Sequence, residues 1–469
     1  MRPRPRPLRL PAPILTALAL LALSLAAAAP QALVPEVGCR AEWDAPTDVL
    51  VHTPGDELFV GVIHPEAALF ERAFDLEGAA AEHRAYIRLL QARGARVHTV
   101  VETLLAGTER VGRPAGTGDE RGQALPGPEL DALREFAQRF ITIDAAALPA
   151  AEQEEQQAYL RETLAALHPR ELVSIILQCP TVHLRPSLVP NTRYAASYEL
   201  SPVMNLYFCR DQQITTARGV VIGRMNSEQR AVETGIMRFV LRKLGIEPIY
   251  EVTGDGRLEG GDFIPAGDTA FIGQGLRTNA EGVRQLLEHE VFGVPRVVVV
   301  KEPWKSQDQM HLDTYFNIIG PQLAVLVEER MDLRDAQGRV IQPAREDRRC
   351  RVDVYELGPG GYRLAQADGD FQACLEQEMG FRLIPVSNDD QLDYAINFLC
   401  VGPERILVVA GASAEYRERL RGVDVTWMDF SNLTGGYGAA HCCVQVLHRR
   451  PAEAAGRASE RVVPRFPWR

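Results

Sequence analysis

The sequence predicts an α/β chain in which five repeated units close into one pseudo-symmetric assembly. Three observations carry this. Short β-branched apolar runs alternate with helical runs along most of the 469 residues. The order apolar run, helical run, apolar run recurs five times. A composition of 46% apolar and 24% charged residues suits a chain with a sizeable buried core. The competing arrangement, an open α/β sheet, would use the same elements.

In the first unit a run at 48–52 precedes a helix at 81–92 and a run at 96–101. The second comprises 219–223, 228–244 and 247–252, and the third 269–273, 280–290 and 296–300. The fourth is 323–327, 371–378 and 381–386, with a long insertion after its first run. The fifth is 405–409, 414–421 and 423–428. The helix at 228–244 rests on Val232, Ile236, Val240 and Leu244, which share one face at i+4 steps. Ser227 is expected to cap its start and Gly245 its end. Residues 104–202 break the rhythm. Their stretch 112–128 is dense in Gly, Pro and charge and reads as an exposed loop. Helices are expected at 129–140 and 151–167, which makes 104–202 a helical insertion. The polar tail 455–469 is expected to lie on the surface.

The first residues carry a different pattern. Arg2, Arg4, Arg6 and Arg9 precede an apolar run over 14–25, and small residues follow at 26–29. That is the order of a secretory signal over 1–28, which leaves a single domain from about residue 33 to 469. The apolar run is short for a membrane span. Export is therefore expected, to the periplasm or beyond. The alternative is a misassigned start and a cytoplasmic enzyme beginning near Leu33. Losing 1–28 would remove four arginines and no acid, deepening the net charge of −11 by four to −15. Such a chain offers a nucleic-acid backbone no basic face and can attract a small cation. Eight cysteines without paired C-x-x-C spacing exclude a disulfide framework and a structural zinc site.

The chemistry-bearing residues lie mostly between the units. Asn205-Leu-Tyr-Phe-Cys-Arg-Asp211 precedes the second, and Glu259-Gly-Gly-Asp262 separates the second from the third. His311-Leu-Asp313 lies between the third and fourth, and Gly435-Gly-Tyr-Gly-Ala-Ala-His-Cys442 follows the fifth. If five units close around an axis, these connections converge on one pocket. Cys442 can act as a nucleophile and His311 can move protons. Asp211, Asp313 and Glu259 would push a thiol's pKa up and suppress its reactivity. That conflict disappears if the substrate brings the positive charge. A guanidinium has a planar fork of donors that two carboxylates grip, and its charge then favours a thiolate beside its central carbon. Each residue alone also fits a buried thiol, a cap or a turn. A metal site at His441-Cys442-Cys443 with His311 is poorly spaced for tetrahedral zinc.

These segments, in this order, resemble the arginine deiminase family of guanidino-group modifying enzymes. The opening Glu42-Trp43 to Val49-Leu-Val-His-Thr-Pro-Gly55 is similar to the family's first strand and turn. Asn205 to Phe208 with Arg210-Asp211, Glu259 to Asp262, Met310 to Asp313 and Gly436 to Cys442 complete the set. The resemblance implies the pentein fold, a five-bladed ββαβ pseudo-symmetric propeller with a helical insertion. It implies that Asp211 and Asp313 clamp the guanidinium, that Cys442 attacks its carbon, and that Glu259 and His311 relay protons. A covalent thiouronium and a ureido product such as citrulline would follow, without metal or organic cofactor.

Substrate choice follows from the same resemblance. Arg230 and Arg277 match carboxylate-binding arginines, which favours free L-arginine as the small-molecule substrate over agmatine. Asn205, Phe208 and Asp262 match positions around the substrate. Tyr437 stands where many members carry an Arg. Three alternatives remain open: an amidinotransferase that passes the amidino group to an amine, a hydrolase of agmatine or methylated arginine, and a non-catalytic binding protein. A papain-like cysteine context is absent.

Overall fold

The computed structural model describes residues 34–110 and 122–451. The expected signal at 1–28 and the tail at 455–469 lie outside the described residues, as does most of the loop expected at 112–128. Among the described residues, five small sheets share one plan. A central strand has an antiparallel neighbour that enters the unit and a parallel neighbour that follows the unit's helix.

In the second blade these elements are Gln213–Thr215, Val220–Ile222, the helix Glu233–Lys243 and Tyr250–Glu251. The third has Phe263–Ala266, Thr269–Gln274, Ala280–Glu288 and Arg296–Lys301. The fourth has Phe316–Gly320, Leu323–Val327, helical turns over Phe371–Ala373 and Cys374–Glu378, and Arg382–Val386. The fifth has Leu399–Gly402, Arg405–Val409, Ala414–Arg419 and Asp424–Met428. The first blade is built from both ends of the described chain. Ala45–Val51, Leu76–Ala92 and Arg96–Thr99 take their antiparallel strand from Gln445–Arg450. The fold is the pentein propeller of ββαβ blades. The open sheet is excluded, because among the described residues no strand joins the sheet of one blade to that of the next.

Buried central strands explain the continuous apolar runs. Every residue of Leu323–Val327 is buried, as a parallel pairing covered on both faces requires. Arg449 secures the seam of the first blade, where its Nη1 donates to the carbonyls of Glu42, Asp44 and Cys400 at 2.6–2.8 Å.

The helix expected from residue 228 begins later. A 3₁₀ turn at Glu228–Arg230 precedes the α-helix Glu233–Lys243, and Ser227 makes no side-chain cap. The turn swings Arg230 inward, where it is buried, whereas Val232 is exposed. Gly245 does end the helix, at φ +78°, a left-handed conformation that suits glycine. The long insertion of the fourth unit forms two hairpins. Arg351–Gly358 pairs with Arg296–Lys301, so the third blade gains two strands. The segment between the first and second blades holds helices at Pro128–Ala137 and Ala150–Ala166. It also holds a third helix, Pro169–Gln178, and a sheet of Thr142–Asp144, Pro180–Pro186 and Tyr194–Leu200, which the hydrophobic pattern did not reveal.

Candidate active site

The turns that lead into the five antiparallel strands meet, and they carry the chemistry. Asp211 stands two residues before its strand and Asp262 one before. Asp313 stands three before, Asn397 two and Cys442 three. Pseudo-symmetry thus brings residues from positions 211 to 442 to one place.

Glu259 and His311 form a buried pair, with Glu259 Oε2 3.0 Å from His311 Nε2. The other Glu259 oxygen accepts the N–H of Asn226 at 2.9 Å. Burial alone would push both toward neutrality. The hydrogen bond and the opposite charges win, so His311 is raised to about 9 and Glu259 lowered to about 2. Asp211 Oδ1 lies 3.9 Å from His311 Nδ1 and adds to the pull on the imidazole. The two glycines after Glu259 are steric requirements. A Cβ on Gly260 would strike the carbonyls of Arg210 and Gln213, and one on Gly261 would stand 2.6 Å from His311 Nδ1.

Cys442 is almost fully buried. Its Sγ is 3.8 Å from Asp313 Oδ2. Burial, then the charges of Asp313 and Asp211, holds the thiol well above its ordinary range. Each aspartate uses one oxygen within the protein. Asp211 Oδ2 accepts from Arg230 Nη1 at 2.8 Å, and Asp313 Oδ2 is 2.6 Å from His441 Nδ1. The other oxygen of each, Oδ1, is buried without a hydrogen-bond partner. Buried carboxylate oxygens are costly to leave unpaired. A planar cation beside Cys442 is the kind of group that would satisfy both.

Asn205, Phe208, Asp211, Arg230, Arg277, His311 and Cys442 line one narrow cleft. Glu259 and Asp313 are wholly buried and do not line it. Asp262 also stands outside the lining. Its Oδ1 accepts the N–H of Leu312 at 3.0 Å, so it supports the turn that carries His311 and Asp313. Burial raises its carboxyl to about 6.

The two arginines differ. Arg230 donates to Glu233 through Nε and Nη2 at 3.1 and 2.9 Å, to Asp211, and to the Asn205 carbonyl at 3.3 Å. Its donors are therefore engaged by Glu233, Asp211 and a backbone carbonyl. Arg277 donates through Nη2 to Gln307 at 2.8 Å, while its buried Nε has no partner. Free space in the cleft is about 20 Å³, close to one water. Leu69, Gly436 and Tyr437 also line it. Tyr437 adopts φ +69°, unusual for a bulky residue, and also borders a neighbouring cavity of about 240 Å³.

Two residues of the site escaped the assignment of roles from sequence. His441 bridges Asp313 to Glu42, whose Oε1 is 3.4 Å from its Nε2. Burial would raise Glu42, but Arg449 and His441 bring it down to about 2. Asn397 accepts the N–H groups of Ala439 and Cys442. All eight cysteines are free thiols.

The arginine deiminase family model matches residues 128–449. The chain belongs to the arginine deiminase family. Among known relatives, the arginine deiminase of Halobacterium salinarum is 25% identical, with 89% of this chain and 97% of that one aligned. The arginine deiminase of Mycolicibacterium gilvum is 27% identical over 87% of this chain and 96% of its own length. A solved DDAH from Pseudomonas aeruginosa complexed with citrulline is similar at TM-score 0.46 and 18% identity, covering 86% of this chain and 99% of that one. SxtG, an amidinotransferase from Microseira wollei, is similar at TM-score 0.46 and 13% identity, covering 89% and 98%. As a member of the arginine deiminase family, the chain is a hydrolase acting on guanidino C–N bonds.

Proposed function

We propose that the protein hydrolyses L-arginine to L-citrulline and ammonia through a covalent intermediate on Cys442. The observation that carries this reading is that Asp211 and Asp313, the two carboxylates whose charges act on the Cys442 thiol, each keep a buried oxygen, Oδ1, without a hydrogen-bond partner. A guanidinium bound there would neutralise the charges that keep the thiol protonated, so the thiol would release its proton to solvent as substrate binds and the substrate itself would help generate its nucleophile.

The thiolate attacks the guanidinium carbon and gives a neutral tetrahedral adduct. His311, a cation at neutral pH, donates its proton to one amino group. The C–N bond breaks, ammonia departs, and a thiouronium remains on Cys442. The now neutral His311 takes a proton from water as that water attacks the same carbon. The C–S bond then breaks, the electron pair returns to sulfur, and the O-protonated ureido product gives its proton to solvent, which with the ammonia already released balances as ammonium. Glu259 holds the imidazole oriented and favours its charged form. Arg277, with donors to spare, would receive the α-carboxylate.

One observation favours a second reading, hydrolysis of a guanidino compound without a carboxylate. Arg230 is already engaged by Glu233, Asp211 and the Asn205 carbonyl. Purified protein incubated with arginine, agmatine and methylated arginines, with products identified by mass spectrometry, separates these readings. An added amine that diverts product from citrulline to ornithine would indicate amidino transfer instead.

A further inference from the structure

We propose that Asn397 is the positioning residue that aims the Cys442 sulfur, an assignment that rests on Cys442 being the nucleophile. Asn397 occupies, in the fifth blade, the place that Asp211, Asp313 and Cys442 occupy in theirs. It is 2% exposed. Its Oδ1 accepts two backbone N–H groups of the nucleophile's turn, Ala439 at 3.0 Å and Cys442 at 3.2 Å. Its own carbonyl accepts the N–H of His441 at 3.1 Å. Its Nδ2 faces the Asp313 carbonyl at 3.4 Å. One side chain thus ties the turn bearing the sulfur to the turn bearing the guanidinium clamp.

The amide is chemically selective at this position. A carboxylate would accept the same two N–H groups, but it would add a third negative charge where Asp313 and Asp211 already oppose the thiolate. The amide is neutral, and its hydrogen bonding favours the thiolate. Alanine would orphan two buried N–H groups. Asn397 also borders the cavity of about 240 Å³ beside the cleft, from which water can reach them. Such a variant keeps its fold and loses the fixed placement of the sulfur.

The test compares full-length N397D and N397A with wild type by kcat, KM, melting temperature and Cys442 alkylation. Alkylation by iodoacetamide is followed against pH by peptide mass spectrometry. N397D should fold with KM little changed and a melting temperature lowered by the added buried charge, with kcat down about tenfold or more at neutral pH and the Cys442 alkylation midpoint raised by about one pH unit. N397A should lose about a hundredfold in kcat with KM little changed. Two results overturn the proposal. One is an N397D enzyme with wild-type rate and alkylation midpoint. The other is loss of activity in both variants in step with melting temperature while the midpoint stays put. If the wild type turns over no arginine, the proposed reaction fails on its own. The midpoint shift in N397D still decides whether Asn397 acts on the sulfur.

Discussion

Glu259 Oε2 lies 3.0 Å from His311 Nε2, with the two side chains 0% and 2% exposed. This contact sets the charge state of the catalytic candidate and ties stability to pH. His311 is raised from 6.5 to about 9, so its contribution is fully present below pH 6.5 and disappears as pH rises through 9. Glu259 is lowered from 4.5 to about 2, so its contribution is present above pH 4.5 and disappears as pH falls through 2. Thermal unfolding across pH should show both losses, and Glu259→Gln should flatten them. The alkaline limb of kcat should fall near pH 9 in the wild type and at least one unit lower in Glu259→Gln. An unmoved limb would remove Glu259 from control of the imidazole.

If Cys442 is the nucleophile and Asp211 and Asp313 hold the guanidinium, as proposed, Cys442→Ser should abolish citrulline formation while leaving arginine binding measurable by calorimetry. Cys443→Ala is the matching control. Cys443 is buried beside the nucleophile and does not line the cleft, so its loss should leave kcat within about threefold. Appreciable citrulline from Cys442→Ser, or none from Cys443→Ala, would exchange the roles of the two thiols.

The site was legible in sequence where it consisted of reactive residues set in short segments between apolar runs. Asp211, Glu259, His311, Asp313 and Cys442 were all found on that signal, and the structure brings all five together. Asn397 was not, because it sits in the apolar stretch Ala395-Ile-Asn-Phe-Leu399 and its bonds go to backbone a full blade away. The antiparallel strands were missed for a related reason. Gln213–Thr215 is three residues long and mostly polar, too brief to show a period of two. The direction of Arg230 depends on Glu233 and Asp211 lying on the same side of a 3₁₀ turn, which one-dimensional spacing cannot reveal. The third insertion helix did have a signal, since Pro169 opens it and His168 with Glu171 forms a capping box.

The two arginines should part company kinetically. Arg277 has an unpartnered Nε, so it is the candidate reader of the α-carboxylate. Removing a charge-assisted hydrogen bond of about 1.5–3 kcal/mol should raise KM for arginine by about 10- to 150-fold in Arg277→Ala and leave agmatine nearly unaffected. Arg230→Ala instead strips Asp211 of its internal partner, so it should alter arginine and agmatine alike. A selective loss of arginine in Arg230→Ala would show that this residue leaves Asp211 and reads the carboxylate.

Gly261→Ala tests whether the imidazole must lie where it does. The backbone there is not left-handed, so alanine fits its dihedral angles, but its methyl would stand 2.6 Å from His311 Nδ1 and 2.8 Å from Cγ. The ring is buried and tethered to Glu259, so it can yield only by leaving its present seat. A displacement on the order of 1 Å should lower kcat by about a hundredfold with little change in circular dichroism. Gly254→Ala supplies the contrast. That glycine is at φ +57° with open space around its Cβ position, so alanine should cost about 1 kcal/mol of stability and leave kcat unchanged. If both variants lose stability and activity in the same proportion, the loss in Gly261→Ala reflects folding, and the tight seat of His311 has no part in the chemistry.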